Sequence, residues 1–376
     1  MIDSNCIWVA NSDDLERTLA SYQSSQAVVL DTEFVRERTY YPKPALVQLA
    51  GAGHISLVDP VAVTDASALS SLLGSERTLK VVHSGSEDLE VFQAWLGCPI
   101  NGWFDTQVAA ALLGYGYAIG YRNIVETFLG EELDKGETRS DWLQRPLSDS
   151  QLQYAIADVL YLAPVFERLY QEAEALGRVE WVLEEGARAV MGSQNAAYDC
   201  RVKIGSAWKL PARGLLALME LCDAREQLAV SHNKPRGWIL DDQSMMQIAA
   251  ALPSSKTQLR PLLSDKSRGA IRHVDRWLLA VSSAVDAPAD QLPDPVAPPM
   301  SAGQRQRMKL IKQRVVGWAA ELNIAPEIIF NKSDYALWVQ WLEGGTISIP
   351  EHWTGWRRAL FTERLMHEFS RGEGTC

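Results

Sequence analysis

The sequence predicts a mixed α/β domain, a sheet flanked by helices, followed by two small all-α domains. Three observations carry this. Runs of strand type, rich in Val, Ile and Leu and bounded by turn residues, occur only before about residue 85. Amphipathic helical patterns fill the remainder. The Pro/Ala/Asp-rich stretch from Asp286 to Pro299 then separates two helical segments of about 75 residues each. A length of 376 residues fits two or three domains. The expected boundaries are 1–200 for the α/β domain with a core over 25–175, 206–288 for the first helical domain, 289–299 for the linker, and 300–374 for the second.

Taken in order, Ala27-Val28-Val29-Leu30 running into Asp31-Thr32-Glu33-Phe34 reads as a buried strand from its β-branched content. Ala45 to Leu49 and His54 to Val58 read as two more, with Gly51-Ala52-Gly53 as a tight turn. So short a connection favours antiparallel neighbours. Leu79 to Val82 is a fourth strand, with helical patterns on either side. From Ser86 onward the domain reads as mostly helical. Asp88, Val91, Phe92, Trp95 and Leu96 fall on one face of the first of these helices. Ser148 is the expected N-cap of a helix carrying Tyr154 and Asp158. Beyond Arg201 strand signals fade, and residues 208–285 and 300–372 read as helices.

Hydrophobic residues make up 47% of the chain, with 13 Trp, 11 Tyr and 8 Phe, which excludes disorder as the main state. No stretch reaches ~18 apolar residues without a charge, so no membrane-spanning helix is expected. The start, MIDSNCIWVANSDDLER, has neither a basic n-region nor an apolar h-region, and a cytoplasmic location is the expectation. Cys6, Cys98, Cys200, Cys222 and Cys376 are scattered and form no CxxC pair, which reads as free thiols rather than disulfides or a zinc site.

The net charge of −11 argues against a polyanionic partner, but its distribution does not. Residues 1–200 hold 13 Lys+Arg against 29 Asp+Glu, and residues 201–376 hold 23 against 18. A basic module thus accompanies an acidic one. An acidic module can still engage a polyanion where bound divalent cations offset its charge.

Three features carry chemistry. Asp31 and Glu33 lie two apart on the first strand, so their carboxylates point the same way. Such hard oxygen ligands suit Mg²⁺ or Mn²⁺. Asp88 sits at a helix start on its inward face. Tyr154 and Asp158, four apart, share a helix face one turn from each other. Each feature alone has a bland reading: a solvated strand end, an acidic residue favoured by the helix dipole, a hydrogen-bonded pair. The order Asp-x-Glu, Asp, Tyr-x-x-x-Asp is far more specific than any part.

With these motifs the chain resembles the 3′-to-5′ exonucleases that carry four acidic residues and a tyrosine on a ribonuclease H-like fold, and within them the ribonuclease D family. Asp31-Thr32-Glu33-Phe34-Val35-Arg36 matches the first exonuclease motif, His83-Ser84-Gly85-Ser86-Glu87-Asp88-Leu89 the second, and Tyr154-Ala155-Ile156-Ala157-Asp158 the third. Lys135-Gly136-Glu137-Thr138-Arg139-Ser140-Asp141-Trp142 is also similar to that family. Residues near 208–285 and 300–372 resemble the helicase-and-ribonuclease-D C-terminal (HRDC) domain, present twice.

The resemblance implies a metal-dependent 3′-to-5′ exoribonuclease with two divalent ions, Mg²⁺ or Mn²⁺. Its expected substrates are RNAs with a free 3′ end, tRNA precursors above all, and its products nucleoside 5′-monophosphates. By analogy Asp31 is shared by both ions, Glu33 and Asp158 complete the first, Asp88 supports the second, and Tyr154 orients or helps deprotonate the attacking water. Thr32 and Phe34 follow the motif as contacts for the terminal nucleotide. His83 is read as structural. Phosphate contacts are expected from the basic helical half, with Arg213, Arg225, Lys234, Arg236 and Arg268 as candidates in the first domain. In the second they are Arg305, Arg307, Lys309, Lys312 and Arg314. Trp338, Trp341, Trp353 and Trp356 read as packing anchors. No obligate protein partner is expected. Competing readings keep the site but change the substrate to DNA or other small structured RNAs, or make the chain a non-catalytic RNA-binding scaffold.

Overall fold

The computed structural model describes residues 6–22, 25–133, 136–137, 140–194, 199–265, 269–345 and 347–370. They form two compact units. The first comprises residues 1–35, 44–194 and 300–376, the second residues 36–43 and 195–299.

The first unit is built on a mixed sheet. Its strands are β1 (Cys6–Val9), β2 (Ala27–Val35), β3 (Lys43–Gly51), β4 (His54–Val58), β5 (Leu79–Val82) and β6 (Trp103–Asp105), in the order β1-β4-β3-β2-β5-β6. β1 runs parallel to β4, β5 to β2 and β6 to β5, while β3 and β4 form an antiparallel hairpin. Gly51 pairs with His54 across that hairpin, and the two turn residues, Ala52 and Gly53, have φ of 50° and 81°. Positive φ at both positions matches the strand twist in a two-residue turn.

Side-chain alternation divides the sheet into two faces. Val28, Leu30, Val47, Leu49, Val82 and Trp103 belong to one core. It is covered by α1 (Ser12–Tyr22), α2 (Ser67–Gly74) and α3 (Ser86–Trp95). Val29, Leu46, Ala50, Leu57, Val81 and Phe104 belong to the other. That face carries α4 (Thr106–Leu112), α5 (Tyr121–Leu129), α6 (Asp149–Leu160), α7 (Leu162–Ala175) and α8 (Val179–Gln194). β1 and β6 went unread in the sequence: β1 is mostly exposed and β6 is only three residues long.

The second unit packs around one long helix. Its helices are α9 (Cys200–Lys203), α10 (Ala212–His232), α11 (Arg236–Ile239), α12 (Asp242–Ala251), α13 (Lys256–Leu259) and α14 (Val274–Asp286). Leu215, Leu218, Leu221, Ile248, Trp277 and Val281 form its core. Residues 36–43 join it through Tyr40, whose hydroxyl donates to Glu226 and accepts from Arg236 Nη2 at 2.8 Å.

The chain then returns to the first unit as α15 (Ala302–Glu321), α16 (Lys332–Leu342) and α17 (Glu363–Ser370). Ser301 and Gln304 form a capping box at the start of α15. Ile311, Val315, Trp338, Trp353 and Phe361 share one hydrophobic core with α4 to α8. Trp356 stacks on Trp181 with ring centroids 5.0 Å apart and donates its indole N–H to Glu185 Oε1 at 2.7 Å. The Arg357 guanidinium, 3% exposed, is held between Glu185 and the carbonyls of Ile328 and Ile329. Arg178 bridges the Leu112 and Leu322 carbonyls, at 2.6 Å each. Among the described residues no helix is long and apolar enough to cross a membrane. Cys6, Cys98, Cys200 and Cys222 form no disulfide among the described residues, and Cys376 lies outside them.

Candidate active site

On β2 the alternation sets the site. Asp31 and Glu33 share the face of Val29 and look toward α6, whereas Thr32 shares the face of Leu30 and looks toward α3. Ser148 caps α6 in a capping box with Gln151, fixing where the helix begins. Ala155, Ile156 and Val159 bury its apolar side, which leaves Tyr154 and Asp158 at the rim beside β2. Asp31, Glu33 and Asp158 can each offer a carboxylate oxygen within 4.8 Å of the other two. Asp88 stands apart from that trio because α3 lies on the opposite side of the sheet. It is 7% exposed and accepts the Thr32 hydroxyl on Oδ1 at 2.5 Å.

The electrostatics follow from crowding four acids with no counter-charge acting on Asp31, Glu33 or Asp158 among the described residues. Burial first, then the carboxylates of Asp88, Asp158 and Glu33, raise the Asp31 carboxyl well above its usual range. Burial and the charges of Asp158 and Asp88 push Glu33 up to about 8. Burial lifts Asp158 to about 7, opposed by the hydrogen bond from Tyr154. Asp88 rises to about 6 through burial, opposed by Thr32. The Tyr154 phenol is also raised, by burial and by Asp158, Glu33 and Asp31, so it stays protonated at neutral pH. Four neighbouring acids with raised pKa, Asp31, Glu33 and Asp158 half-buried and Asp88 buried, are the pattern of a functional cluster. Their all-oxygen donor set suits a hard divalent cation, which would supply the missing positive charge.

Two neighbours, Gln48 and Tyr121, went unread in the sequence, and a third, Gly136, was read only as part of a family-like stretch. Gln48 on β3 is fully buried, and its Nε2 lies 3.4 Å from Asp31 Oδ2. A glutamine inside the apolar run Leu46-Val47-Gln48-Leu49 was the available signal. Tyr121 on α5 donates to the carbonyl of Ala157, next to Asp158, at 2.8 Å, a contact that no spacing reveals. Gly136 lies against Tyr154: a Cβ there would meet the ring carbon Cε2 at 1.8 Å. Trp142 stands on the ring as well, centroids 6.0 Å apart. Lys135, Thr138 and Arg139 of the same stretch lie outside the described residues.

The remaining candidates are distributed unevenly. Thr32 is buried with its hydroxyl engaged by Asp88, while Phe34 is half-buried and belongs to none of the described hydrophobic cores. His83 is held by Thr106 Oγ1 at 2.9 Å and the Ile119 carbonyl at 3.0 Å. Three arginines expected to face phosphate point inward, because a guanidinium also satisfies carbonyls. Arg213 binds the carbonyls of Ala284, Val285 and Ala287. Arg225 is 2% exposed and binds Leu240 and Asp242. Arg236 pairs with Glu226 at 2.6 Å. Lys234 is exposed, and Arg268 lies outside the described residues. On α15, Arg305 donates to the Met300 carbonyl, Arg307 pairs with Glu343 and Arg314 with Glu368, while Lys309 and Lys312 are exposed.

Comparison with known proteins agrees with this geometry. A family model described as 3′-5′ exonuclease matches residues 6–174, and one described as HRDC domain matches residues 216–281. Ribonuclease D of Shewanella sp. strain ANA-3 is 34% identical over 365 residues, covering 95% of this chain and 92% of that one. Ribonuclease D of Escherichia coli strain K12 is 35% identical, covering 95% and 96%. The crystal structure of Escherichia coli RNase D, described as an exoribonuclease involved in structured RNA processing, superposes with a TM-score of 0.88 at 33% identity, covering 98% of this chain and 99% of that one. With likeness of this extent over both units, the chain belongs to the ribonuclease D family of 3′-to-5′ exoribonucleases.

Proposed function

We propose that the chain trims the 3′ ends of RNA, with tRNA precursors as the substrate class, and releases nucleoside 5′-monophosphates at a site for two divalent cations, Mg²⁺ or Mn²⁺. The observation that supports this reading is the meeting of Asp31, Glu33 and Asp158 within 4.8 Å, with Asp88 reaching in from the other face of β2. Asp31 is the residue that would be shared by both ions. Glu33 and Asp158 would complete one, and Asp88 would support the other. Two such ions acidify water and neutralise the charge that builds on the phosphate. Tyr154, protonated and hydrogen-bonded to Asp158, orients the attacking water and is no base of its own. Gln48 holds the Asp31 carboxylate in place. Phe34, outside every described core, offers a ring to the terminal base. The structured RNA named for the Escherichia coli relative, and its likeness across the HRDC-type unit, favour a folded RNA over a plain strand. The place of action is the cytoplasm.

The test is digestion of 3′-extended tRNA beside linear RNA and single-stranded DNA, with Mg²⁺, Mn²⁺ or EDTA. Stepwise release of 5′-monophosphates from the extended tRNA, abolished by EDTA, is the expected result. Cuts in a circular RNA, or equal rates on DNA, would overturn it.

A further inference from the structure

The core of the second unit holds two thiols that the nuclease chemistry does not use. Cys200 opens α9 and is 3% exposed, and Cys222 lies midway along α10 and is 2% exposed. Both belong to one hydrophobic core. Buried cysteines are ordinarily packing groups, inert because nothing around them favours the thiolate. This pair differs in its neighbours.

The two sulfurs meet. The Cys200 sulfur lies 3.8 Å from the carbonyl of Leu218, which precedes Cys222 by one helical turn. In that position the Cys200 thiol hydrogen-bonds the Cys222 sulfur. A disulfide places its sulfurs about 2.0 Å apart. α9 is a single turn of four residues, so its path can adjust by the remainder.

A buried cation completes the cluster. Arg225 follows Cys222 by three residues on the same face of α10 and is itself 2% exposed. Its guanidinium is fixed by the Leu240 carbonyl at 3.1 Å and by Asp242 Oδ1 at 2.6 Å, and it also donates to the Cys222 sulfur. The hydrogen bond from Cys200, joined by the charge and the N–H of Arg225, holds the Cys222 thiol below its usual range, against burial and the carboxylate of Asp223. The same bond, then burial, raises Cys200. One sulfur is thus disposed to attack and the other to keep its proton, the division of roles in a reactive dithiol.

Access comes from α9. Asp199 caps it by accepting the Arg201 amide at 2.9 Å, and one turn is all it has. So short a helix opens locally at far less cost than α10. Opening it admits a molecule as small as a peroxide to both sulfurs.

We propose that Cys200 and Cys222 are a redox-active dithiol, which a hydroperoxide oxidises to an intrachain disulfide that staples α9 to α10. The Cys222 thiolate attacks one peroxide oxygen, the O–O bond breaks, and the departing hydroxide or alkoxide takes up a proton. The Cys200 thiol then displaces water from the Cys222 sulfenic acid, closing the S–S bond. Two thiols are oxidised, and one peroxide is reduced to two hydroxylic products. A dithiol reductant reverses the change by exchange.

The experiment treats the full chain with hydrogen peroxide in EDTA, alkylates the remaining thiols and maps the peptides by mass spectrometry. The expected product joins the peptides of Cys200 and Cys222, and dithiothreitol separates them. Cys222 should be consumed roughly tenfold faster than Cys98, a half-buried thiol that burial raises. The oxidised chain should melt roughly 5–15 °C higher than the reduced one, as closure of a loop by one disulfide does. In Cys200→Ala the reaction should halt at the Cys222 sulfenic acid, which dimedone captures, while in Cys222→Ala dimedone should leave Cys200 unlabelled. Absence of the cross-link at peroxide levels that oxidise Cys98 overturns the proposal, and so does dimedone capture at Cys200 in place of Cys222. A cross-linked chain that melts no higher than the reduced one overturns the stapling of α9. The cross-link and the melting shift are read on the wild type, so they decide the matter even where a variant fails to fold.

Discussion

The Thr32 hydroxyl reaches Asp88 Oδ1 at 2.5 Å on the face of β2 that Asp31 and Glu33 do not share. One strand thereby contributes two carboxylates to one side of the site and steadies a third from the other. The spacing of Asp31 and Glu33 makes the residue between them a tether for α3.

Thr32→Val keeps the shape of the side chain and removes that donor. The Asp88 carboxyl, already up at about 6, should rise further. Loss of a hydrogen bond to a charged group costs about 1.5–3 kcal/mol, so half-saturation by Mn²⁺ should need roughly 10–100-fold more metal. Activity measured against Mn²⁺ concentration checks this, and a wild-type curve would make the tether idle.

Asp31→Asn should abolish turnover and yet stabilise the metal-free protein. Carboxyls with raised folded pKa retain protons that the unfolded chain has lost, so folding stability falls as pH rises from about 4 toward 8. In EDTA the wild-type melting temperature should therefore drop across that range. The variant, relieved of the central charge, should melt higher at pH 8; about 2 kcal/mol corresponds to roughly 4–8 °C. Cation binding at pH 7 must displace protons, and calorimetry in buffers of different ionisation heat should register their release. A variant that melts at or below the wild type would contradict the electrostatic account.

Tyr154→Phe should lower turnover ~10²–10⁴-fold while leaving cation affinity near the wild type, because the phenol acts on water and on Asp158. Gly136→Ala should reproduce part of that loss without touching any polar atom, since its methyl would enter the ring of Tyr154. Comparing kcat with calorimetric Mn²⁺ affinity for both variants tests this. Equal activity at saturating metal would make Tyr154 a packing residue.

A chain ending at residue 299 should aggregate. Trp181, Glu185 and their neighbours on α8 would lose Trp356, Arg357 and the apolar residues of α15 and α16. The full-length variant Trp181→Ala is milder: loss of the stack removes ~0.5–1.5 kcal/mol beyond the buried area. Dye binding to exposed apolar surface and thermal melting distinguish the two. A soluble, fully active 1–299 fragment would show that α15 to α17 are dispensable for the fold.

How much of this was legible depended on range. β2, β4, β5 and the Ser148 cap announce themselves through local periodicity and capping chemistry, and the carboxylate motifs sit on those elements. β6 was too short for its period to show. The arginines are instructive: Lys234 and Arg225 are both cations in a basic segment, but one is on the surface and the other is sealed beneath α12, a difference fixed by tertiary packing and absent from the letters. Gln48 and Tyr121 reach the site only because β3 and α5 lie against β2 and α6 in space. The stack of Trp356 on Trp181 joins residues whose neighbourhood no local pattern predicts.

That stack also sets an order of events in synthesis. The 105 residues from 195 to 299 separate α8 from the helices that cover it. Closing a loop of that length costs about 4 kcal/mol in chain entropy. N-terminal parts fold first as synthesis proceeds at about 5–20 residues per second, so α8 waits roughly 10–30 s for Trp356 to be made. An unfinished polypeptide shows an apolar face throughout that interval, which marks it for chaperones and proteases. Only a chain translated past its last helices can bury that face.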